Sequence, residues 1–342
     1  MGHLSTDEYI PSVKNWLPSV LRIRHDRPHT IIGADSEVVF HWLNFGFRVA
    51  GMALTPPIVL TIAGFDPTSG AGITADIKTI AAHECYGVSC ITALTVQSTQ
   101  GVRRVEGVDP KIIVETLGEL VSDLAVDAVH IGMLGNAQVV EAVASFLDQT
   151  FPGRAKLPHV VLDPILKSSS GADLLDAAGT RLLIEKLLPL AELVTPNLDE
   201  ASVLTGTAVT NLDQMREAAA RLHSLGAANV VVTGGHLEKA IDLLSFTTAR
   251  GTEEEVFKAD RQRSNSTHGT GCAFATALAC HLAHGRGLPE AVLLSKVYVS
   301  AAIANAHPLG HGVGPLNHLY RMGQQRRSST VVSEGEHVHS RN

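Results

Sequence analysis

The run from Asn265 to Cys272 places a threonine, two glycines and a cysteine directly before an Ala- and Leu-rich helical segment. The first amide groups of a helix lack partners within it, and the helix dipole adds partial positive charge there. Glycines let such a backbone close around an anion, so the run predicts a phosphate site. A thiol at a helix N-terminus has a lowered pKa. Cys272 could therefore act as a base or nucleophile, or it could be an inert buried thiol.

Several further side chains could bind a small polar ligand. Asp66 and Asp76, in and after the glycine-rich loop 64–72, could accept hydrogen bonds from a substrate, although the loop could equally be a turn with a helix cap. The amide of Gln97 can donate and accept, which suits the edge of a heterocycle. Met133 could contact an aromatic ring through its sulfur, but a methionine in such a place is more often part of a core.

Asn197 and Glu200 follow Thr195-Pro196 at a spacing that supports two interpretations. The first is a capping box, in which the two side chains satisfy the first amides of a helix. The second is a magnesium and phosphate site, because Mg²⁺ prefers oxygen ligands and retains water. Gly234-Gly235, before His236, could likewise bring the backbone close to a nucleotide or form an ordinary turn.

Strand-like and helical segments alternate from Ile58 to about Tyr320. The strands are continuous apolar runs rather than alternating ones, which predicts an α/β fold with a mostly parallel sheet covered on both faces. Ligands of such sheets lie beyond the carboxyl ends of the strands. The predicted strands are Ile58–Ala63, Val88–Thr95, Ala128–Met133, His159–Asp163, Glu192–Thr195 and Val230–Thr233, with a peripheral hairpin over Ile241–Thr247 and Glu255–Ala259. Since each glycine-rich loop follows a strand or precedes a helix, we expect a single site.

The chain divides into three parts by pattern. Residues 1–57 are irregular, with Pro11, Pro18 and Pro28 interrupting any helix, which predicts a poorly ordered extension whose first 51 residues could instead be an upstream start-site artefact. Residues 58–320 carry the regular pattern and are expected to form one domain. Residues 321–342 are polar and are expected to be a flexible tail.

Composition excludes several classes of protein. With 45% hydrophobic and 18% charged residues, the chain is expected to be a well-packed soluble protein. A net charge of −7 without a basic face argues against nucleic-acid binding. No membrane span or signal peptide is evident. Four cysteines without Cys-x-x-Cys pairs favour a reducing cytoplasm over zinc sites or a disulfide framework.

Taken in order, these motifs resemble those of the hydroxymethylpyrimidine/phosphomethylpyrimidine kinases, over residues 58–320. The matching segments are Thr61–Pro67, Gly70–Asp76, Ile91–Gln97, Ile131–Leu134, Thr195–Asn197, Gly234–His236 and Thr267–Cys272. The resemblance implies a ribokinase-like three-layer sandwich without a separate lid domain, and a homodimer. It also implies ATP and Mg²⁺ as cofactors. The reaction would phosphorylate 4-amino-5-hydroxymethyl-2-methylpyrimidine and then its monophosphate, for thiamine biosynthesis.

The resemblance also implies roles for individual residues. Gly64, Asp76, Gln97 and Met133 would contact the pyrimidine, and Gly269, Thr270 and Gly271 would line the anion hole. Asn197 and Glu200 would place the magnesium and phosphates, with Glu200 reaching the metal through water, while Thr233 and Gly235 would bind the nucleotide. Cys272 occupies a position that is aspartate in the wider ribokinase family, which narrows its role to proton acceptor or positioner of the substrate hydroxyl. His268 is interpreted as a loop residue.

The sequence also departs from the family pattern, and two other functions compete. Thr233 stands where many relatives have lysine, and Lys167 is a candidate to supply the missing charge. The nearest alternative is a pyridoxal/pyridoxine kinase, which shares the fold and the cysteine. An alternative of another class is a non-catalytic pyrimidine-binding regulatory protein, against which the complete anion-hole run argues.

Overall fold

The computed structural model describes residues 55–153, 158–168, 170–235, 240–260, 262 and 264–322. The described residues from Thr55 onward form one unit, with no second domain among them. The expected N-terminal extension and polar tail fall almost wholly outside these ranges, as does His236, so the proposed division into three parts stays a prediction.

The described strands form one nine-stranded sheet in the order β3-β2-β1-β4-β5-β6-β7-β8-β9. Pairing is parallel from β2 through β7 and antiparallel at β3, β8 and β9. The strands are β1 (Ile58–Phe65), β2 (Tyr86–Ser98), β3 (Gly101–Gly107), β4 (Ala128–Ile131), β5 (His159–Leu162), β6 (Leu193–Val194), β7 (Val230–Gly234), β8 (Ala240–Thr248) and β9 (Gly251–Ala259). The parallel centre and the β8–β9 hairpin confirm the sequence-based expectation.

Helices cover both faces of the sheet, which gives three layers. They are α1 (Gly72–Ala82), α2 (Pro110–Asp123), α3 (Ala137–Thr150), α4 (Ala177–Leu182) with the π-helical turn Leu183–Leu187, α5 (Leu198–Thr205), α6 (Leu212–Ser224), α7 (Thr270–Ala283) and α8 (Leu288–Ala304). Val59 packs in a cluster with α1, α7 and α8, whereas its neighbour Leu60 packs in the cluster of α2 to α6. Successive strand residues point to opposite faces, so the continuous apolar strands fill both cores.

Strand β3 is the main element that the sequence pattern did not reveal. Its residues Arg103, Arg104 and Glu106 are exposed, and it pairs along one side with β2, which extends to Ser98. An edge strand is held by backbone hydrogen bonds and needs no apolar run, so it leaves no hydrophobic signature. The β2–β3 hairpin carries the predicted ligand residue Gln97 at its end.

Helix N-termini differ in how their first amides are satisfied. A side-chain oxygen caps five of the described helices, α2 to α6, through Asp109, Asn136, Asp176, Asn197 and Asn211. At α1, α7 and α8, which begin at Gly72, Thr270 and Leu288, no side chain forms such a cap. Of these, α1 and α7 begin at the edge of the sheet where the strands end, where first amides without a cap can bind a ligand. None of the described helices is long and apolar enough to span a membrane.

Candidate active site

The glycine-rich loop after β1 meets the run that leads into α7. A Cβ atom on Gly269 would lie 1.9 Å from the carbonyl oxygen of Gly70, and Gly269 has φ +81°. Both the close approach and the left-handed backbone restrict this position to glycine. The predicted anion hole at Gly269–Gly271 is thereby joined to the loop that carries Asp66.

The carboxylate of Asp66 holds its own loop together. It accepts hydrogen bonds from the backbone amides of Thr68 (2.8 Å) and Ala71 (3.0 Å) and from the Thr68 hydroxyl (3.0 Å). His268 Nε2 lies 2.8 Å from its Oδ2. Burial raises the pKa of Asp66, but the hydrogen bonds from His268 and Thr68 outweigh it, and the net pKa is lowered. Asp66 is therefore an ionised structural anchor, not a free acceptor for a substrate.

Three of the predicted pyrimidine contacts lie along one edge of the sheet. Met133 follows β4 and packs on Gly64, where a Cβ would be 2.8 Å from the methionine sulfur. Gln97, half-buried near the end of β2, has its Nε2 3.2 Å from His268 Nε2. The Thr95 hydroxyl lies 3.2 Å from Gln97 Oε1. These residues can present a thioether, backbone and an amide to a flat ring.

Asp76 is fully buried beneath this edge. Its carboxylate accepts hydrogen bonds from the hydroxyls of Thr61 (2.7 Å) and Thr276 (3.0 Å). His130 Nδ1 lies 3.3 Å from it. Burial lowers the pKa of His130, but the attraction of Asp76 outweighs burial and raises it. The carboxylate of Asp76 is thus engaged within this network. Its contact with the pyrimidine stays a prediction.

Cys272 lies fully buried in the first turn of α7. Burial raises the pKa of its thiol well above the usual value, and the carboxylates of Asp163 and Asp76 raise it further. A hydrogen bond with the backbone of Gly72 acts in the opposite direction but is smaller. The expectation that this pKa is lowered is therefore wrong, because desolvation raises it and the neighbouring acidic groups add to the rise.

Asn197 and Glu200 form the capping box that their spacing predicted. Asn197 Oδ1 accepts from the Glu200 amide at 2.9 Å, and Glu200 Oε2 accepts from the Asn197 amide at 2.9 Å. The capping role does not exclude a ligand role, because the Glu200 carboxyl also interacts with the buried Asp163 at the end of β5. Burial raises the pKa of Glu200 to about 7. Burial together with Glu200 raises that of Asp163 to about 8.

The carboxyls of Asp163 and Glu200 are both buried, and a cation bound near them would stabilise their ionised forms. Asp163 Oδ2 would lie 3.6 Å from a Cβ on Gly271, so the Asp163 carboxyl also adjoins the anion hole. Among the described residues there is no group of three or more His, Cys, Asp or Glu side chains placed to hold a metal ion. A magnesium ion here would therefore need further oxygen ligands from water or phosphate, which it accepts readily.

The predicted nucleotide residues lie at the ends of β6 and β7. Asn197 and Thr233 form a parallel bridge, and the Thr233 amide donates to the Pro196 carbonyl at 2.9 Å. Gly235, two residues beyond, is exposed, and no atom of the described residues lies within 4 Å of a Cβ placed there. In the anion hole, the Thr270 hydroxyl donates to the Thr267 carbonyl at 2.7 Å, and the Thr270 amide makes a longer contact of 3.4 Å with the same oxygen.

Lys167, the candidate replacement for a lysine at Thr233, lies at the surface. Its ammonium group is 3.6 Å from the carboxylate of Asp173, and both side chains are exposed. The compensating role of Lys167 therefore stays a prediction.

The sequence analysis did not identify Asp163 and His130 as site residues, and it did not identify the bridging role of His268. The Asp-Pro pair after β5 and a histidine inside an apolar strand were the available signals. The segment before Leu316 was also missed. In it, Val313 donates to the Thr99 carbonyl at 2.9 Å, and the Gly314 carbonyl accepts from the His268 amide at 3.0 Å.

Comparison with known proteins relates this geometry to characterised families. A family model described as phosphomethylpyrimidine kinase matches residues 66–317. The chain is 45% identical over 263 residues to the thiamine biosynthesis bifunctional protein ThiED of Geobacter sulfurreducens, an alignment that covers 76% of this chain and 52% of that protein. The chain thus spans about half of that relative's length.

A second relative matches over nearly its whole length. The hydroxymethylpyrimidine/phosphomethylpyrimidine kinase of Streptomyces coelicolor is 41% identical over 272 residues, which cover 79% of this chain and 97% of the relative. Among solved structures, the ADP complex of Bacillus subtilis pyridoxal kinase superposes with a TM-score of 0.69 at 34% identity. That superposition covers 78% of this chain and 99% of the other.

Proposed function

The chain belongs to the phosphomethylpyrimidine kinase family, and on this basis we propose that it phosphorylates 4-amino-5-hydroxymethyl-2-methylpyrimidine and then the resulting monophosphate, with ATP as donor. It is a ribokinase-like phosphotransferase with a kinase role in thiamine synthesis. The observation that carries the proposal is the uncapped N-terminus of α7, where Gly269 contacts the loop at Gly70 and Gly271 faces the carboxyl of Asp163.

We propose that the pyrimidine lies against Gly64 and Met133, with its polar edge toward Gln97. The buried sulfur of Met133 supplies a polarizable apolar surface, and the amide of Gln97 supplies directional hydrogen bonds. Asp76 is retained as a predicted contact, and its network with Thr61 and Thr276 supports a further role in holding α1 and α7 together.

The transferred phosphoryl group is proposed to sit at Gly269, Thr270 and Gly271. Phosphoryl transfer requires positioning and neutralisation of charge on the equatorial oxygens more than covalent chemistry by the protein. The backbone amides at the start of α7 are already oriented, so they stabilise this charge without reorganisation. The contact of Gly269 with Gly70 keeps that geometry rigid.

Asp163 and Glu200 are proposed to hold magnesium, with Asn197, Thr233 and Gly235 at the nucleotide. Both carboxyls are buried, Asp163 adjoins the anion hole and Glu200 acts electrostatically on Asp163, which fits a dication that also contacts phosphate oxygens. When bound, Mg²⁺ would supply positive charge to the phosphates. The bridge between Asn197 and Thr233 keeps the ends of β6 and β7 in register for the nucleotide.

Cys272 is proposed to contact the substrate hydroxyl. In its buried place beside Asp163 and Asp76 the thiol keeps its proton at neutral pH, which supports a positioning role. Such a role suffices where the transition state is loose, because the hydroxyl proton then leaves late.

Turnover with three candidate acceptors tests the proposal. The protein is incubated with ATP, Mg²⁺ and either the hydroxymethylpyrimidine, its monophosphate or pyridoxal, and the products are identified by mass spectrometry. We expect both pyrimidines to be phosphorylated. The superposition on a pyridoxal kinase makes that activity the second candidate. A strong preference for pyridoxal would replace the proposed substrate.

We further propose a homodimer in the cytoplasm. Leu94 and Val96 are 50% and 56% exposed on one face of the β2–β3 hairpin, and a second copy would cover them. All four cysteines are free thiols, as expected of a reducing compartment. Light scattering of the wild type and of Leu94→Glu tests the dimer, which the charged side chain should dissociate.

A further inference from the structure

His268 links the two loops of the candidate site to the predicted pyrimidine ligand Gln97. Its Nε2 lies 2.8 Å from Asp66 Oδ2 and 3.2 Å from Gln97 Nε2. The imidazole is held on both sides. Its ring packs on Gly70, where a Cβ would be 2.4 Å from the ring Cδ2, and its backbone amide donates to Gly314. The side chain is only 12% exposed, so its position is determined by the protein.

The contacts of Asp66 assign the proton on His268. Asp66 accepts two backbone amides and one hydroxyl, which is the environment of an ionised carboxylate. A carboxylate can only accept, so the ring nitrogen that faces it must carry hydrogen. His268 Nε2 therefore carries one hydrogen, which donates mainly to Asp66 at 2.8 Å and is shared, as a three-centre bond, with the amide of Gln97 at 3.2 Å.

This assignment decides which way the Gln97 amide points. Its NH₂ group cannot face a ring N–H, because both groups are donors. The Thr95 hydroxyl donates to the Phe65 carbonyl at 2.9 Å, so its oxygen is left as an acceptor toward Gln97. Exchanging the oxygen and nitrogen of the amide, which have nearly the same shape, satisfies both contacts. Oε1 then accepts from His268, and the NH₂ group donates to Thr95.

We propose that His268 is a positioning residue that orients the Gln97 amide, so that its remaining N–H is presented to an acceptor nitrogen on the edge of the pyrimidine. This inference rests on the proposed function of Gln97. Asp66 determines which nitrogen of His268 carries hydrogen, and His268 determines the orientation of the Gln97 amide. The amide then selects a substrate edge that carries a lone pair. Oε1 keeps a second lone pair, which can accept from an amino group beside that nitrogen.

The test measures steady-state kinetics of His268→Ala and His268→Gln. Loss of one oriented hydrogen bond should raise the KM for the hydroxymethylpyrimidine about tenfold in His268→Ala, with a smaller change in kcat and none in the KM for ATP. The side chain of glutamine can place an amide N–H near the position of Nε2, so His268→Gln should recover most of the loss. A general loss of structure would instead change both substrates and would not be rescued.

A double-mutant cycle with Gln97→Ala shows whether the two residues act together. In the Gln97→Ala background, His268→Ala should have little further effect on the KM for the pyrimidine, whereas independent effects would overturn the proposal. Gly70→Ala provides a second perturbation, because its methyl group displaces the imidazole without changing its chemistry. It should reproduce the rise in KM.

Nitrogen NMR of the histidine side chains separates failure of this inference from failure of the proposed function. In the unliganded protein at neutral pH, His268 should carry hydrogen on Nε2, and an unprotonated Nε2 would overturn the inference whatever the activity. If Gln97→Ala leaves the KM for the pyrimidine unchanged, the role of Gln97 in the proposed function is wrong. His268 then has no substrate-binding side chain to orient.

Discussion

The backbones of Gly269 and Gly70 approach so closely that a Cβ on Gly269 would lie 1.9 Å from the carbonyl oxygen of Gly70. The contact joins the loop after the first strand to the N-terminus of α7. It therefore fixes the site of phosphoryl transfer relative to the predicted pyrimidine pocket. Gly271, two residues away, has a different environment, since the nearest atom to its Cβ position is Asp163 Oδ2 at 3.6 Å.

Alanine at these two glycines should separate stability from activity. Gly269→Ala should destabilise the protein by about 1–3 kcal/mol through the left-handed backbone alone. The clash with the Gly70 carbonyl should add to this loss. Gly271→Ala should leave the free energy of unfolding nearly unchanged but lower kcat, because its methyl group enters the anion hole. Urea denaturation and turnover measure the two effects. Full activity of Gly271→Ala would contradict the placement of the phosphoryl group.

Removal of the Cys272 thiol should affect catalysis more than nucleotide binding. We expect Cys272→Ala to lower kcat by about 10²-fold, at the lower end of losses from removing a group at the reacting hydroxyl, with the KM for ATP little changed. Cys272→Ser, which keeps a polar group there, should lose less. The buried Cys90, whose thiol contacts the Ile113 carbonyl, gives a matched control as Cys90→Ala. Equal activity of Cys272→Ala and wild type would contradict the assignment.

The apparent affinity for Mg·ATP should fall as the pH is lowered. The pKa of Asp163 is raised to about 8 and that of Glu200 to about 7, so both carboxyls take up protons as pH falls through this range. A dication binds the ionised oxygens, and protonation competes with it. The KM for Mg·ATP should therefore rise between about pH 8.5 and pH 6. Glu200→Gln should weaken this dependence, whereas the exposed Glu185→Gln should not; a KM independent of pH would exclude the pair as ligands.

A buried histidine cluster should make the fold sensitive to acid. Burial lowers the pKa of His83 to about 4, of His281 to about 3 and of His318 to about 4. The unfolded chain binds protons near the ordinary value of about 6.5. The three histidines are therefore neutral in the folded state at no cost above about pH 6.5. The free energy of unfolding decreases as the pH falls from there toward their pKa values in the folded state.

The expected loss is about 2 kcal/mol per histidine between pH 7 and pH 5. Urea denaturation at several pH values measures it. His281→Phe should make the unfolding free energy depend less steeply on pH, because about one proton fewer is taken up on unfolding. The substitution is tolerable since neither ring nitrogen of His281 has a hydrogen-bond partner among the described residues. The exposed His311→Gln serves as control. An unfolding free energy equal at both pH values would contradict the burial of the cluster as neutral groups.

Much of the fold could be predicted because its signals are local. The apolar runs of β1, β4, β5 and β7 are continuous, since each is buried on both faces. The capping box at Asn197 and Glu200 depends on four consecutive residues, and the structure forms it as predicted. The resemblance to the pyrimidine kinase family is confirmed over residues 66–317. Strand β3 escaped because an exposed edge strand needs no apolar pattern.

The missed parts of the site depend on residues that are far apart in the chain. His268 meets Asp66 across 202 positions, and Thr276 meets Asp76 across 200. No spacing rule connects such pairs, because the topology of the sheet brings them together. His268 could therefore be seen only as a loop residue, and Asp163 only as the residue before a proline.

The sequence by itself determined the α/β architecture, the family and the segments that meet at the carboxyl edge of the sheet, because periodicity and short motifs encode them. Only the tertiary structure decided the protonation of the site. A cysteine at a helix N-terminus suggested a lowered pKa, yet burial and two carboxylates from other segments raise it. Electrostatic free energy depends on distance and desolvation in space, and neither can be read from positions along the chain.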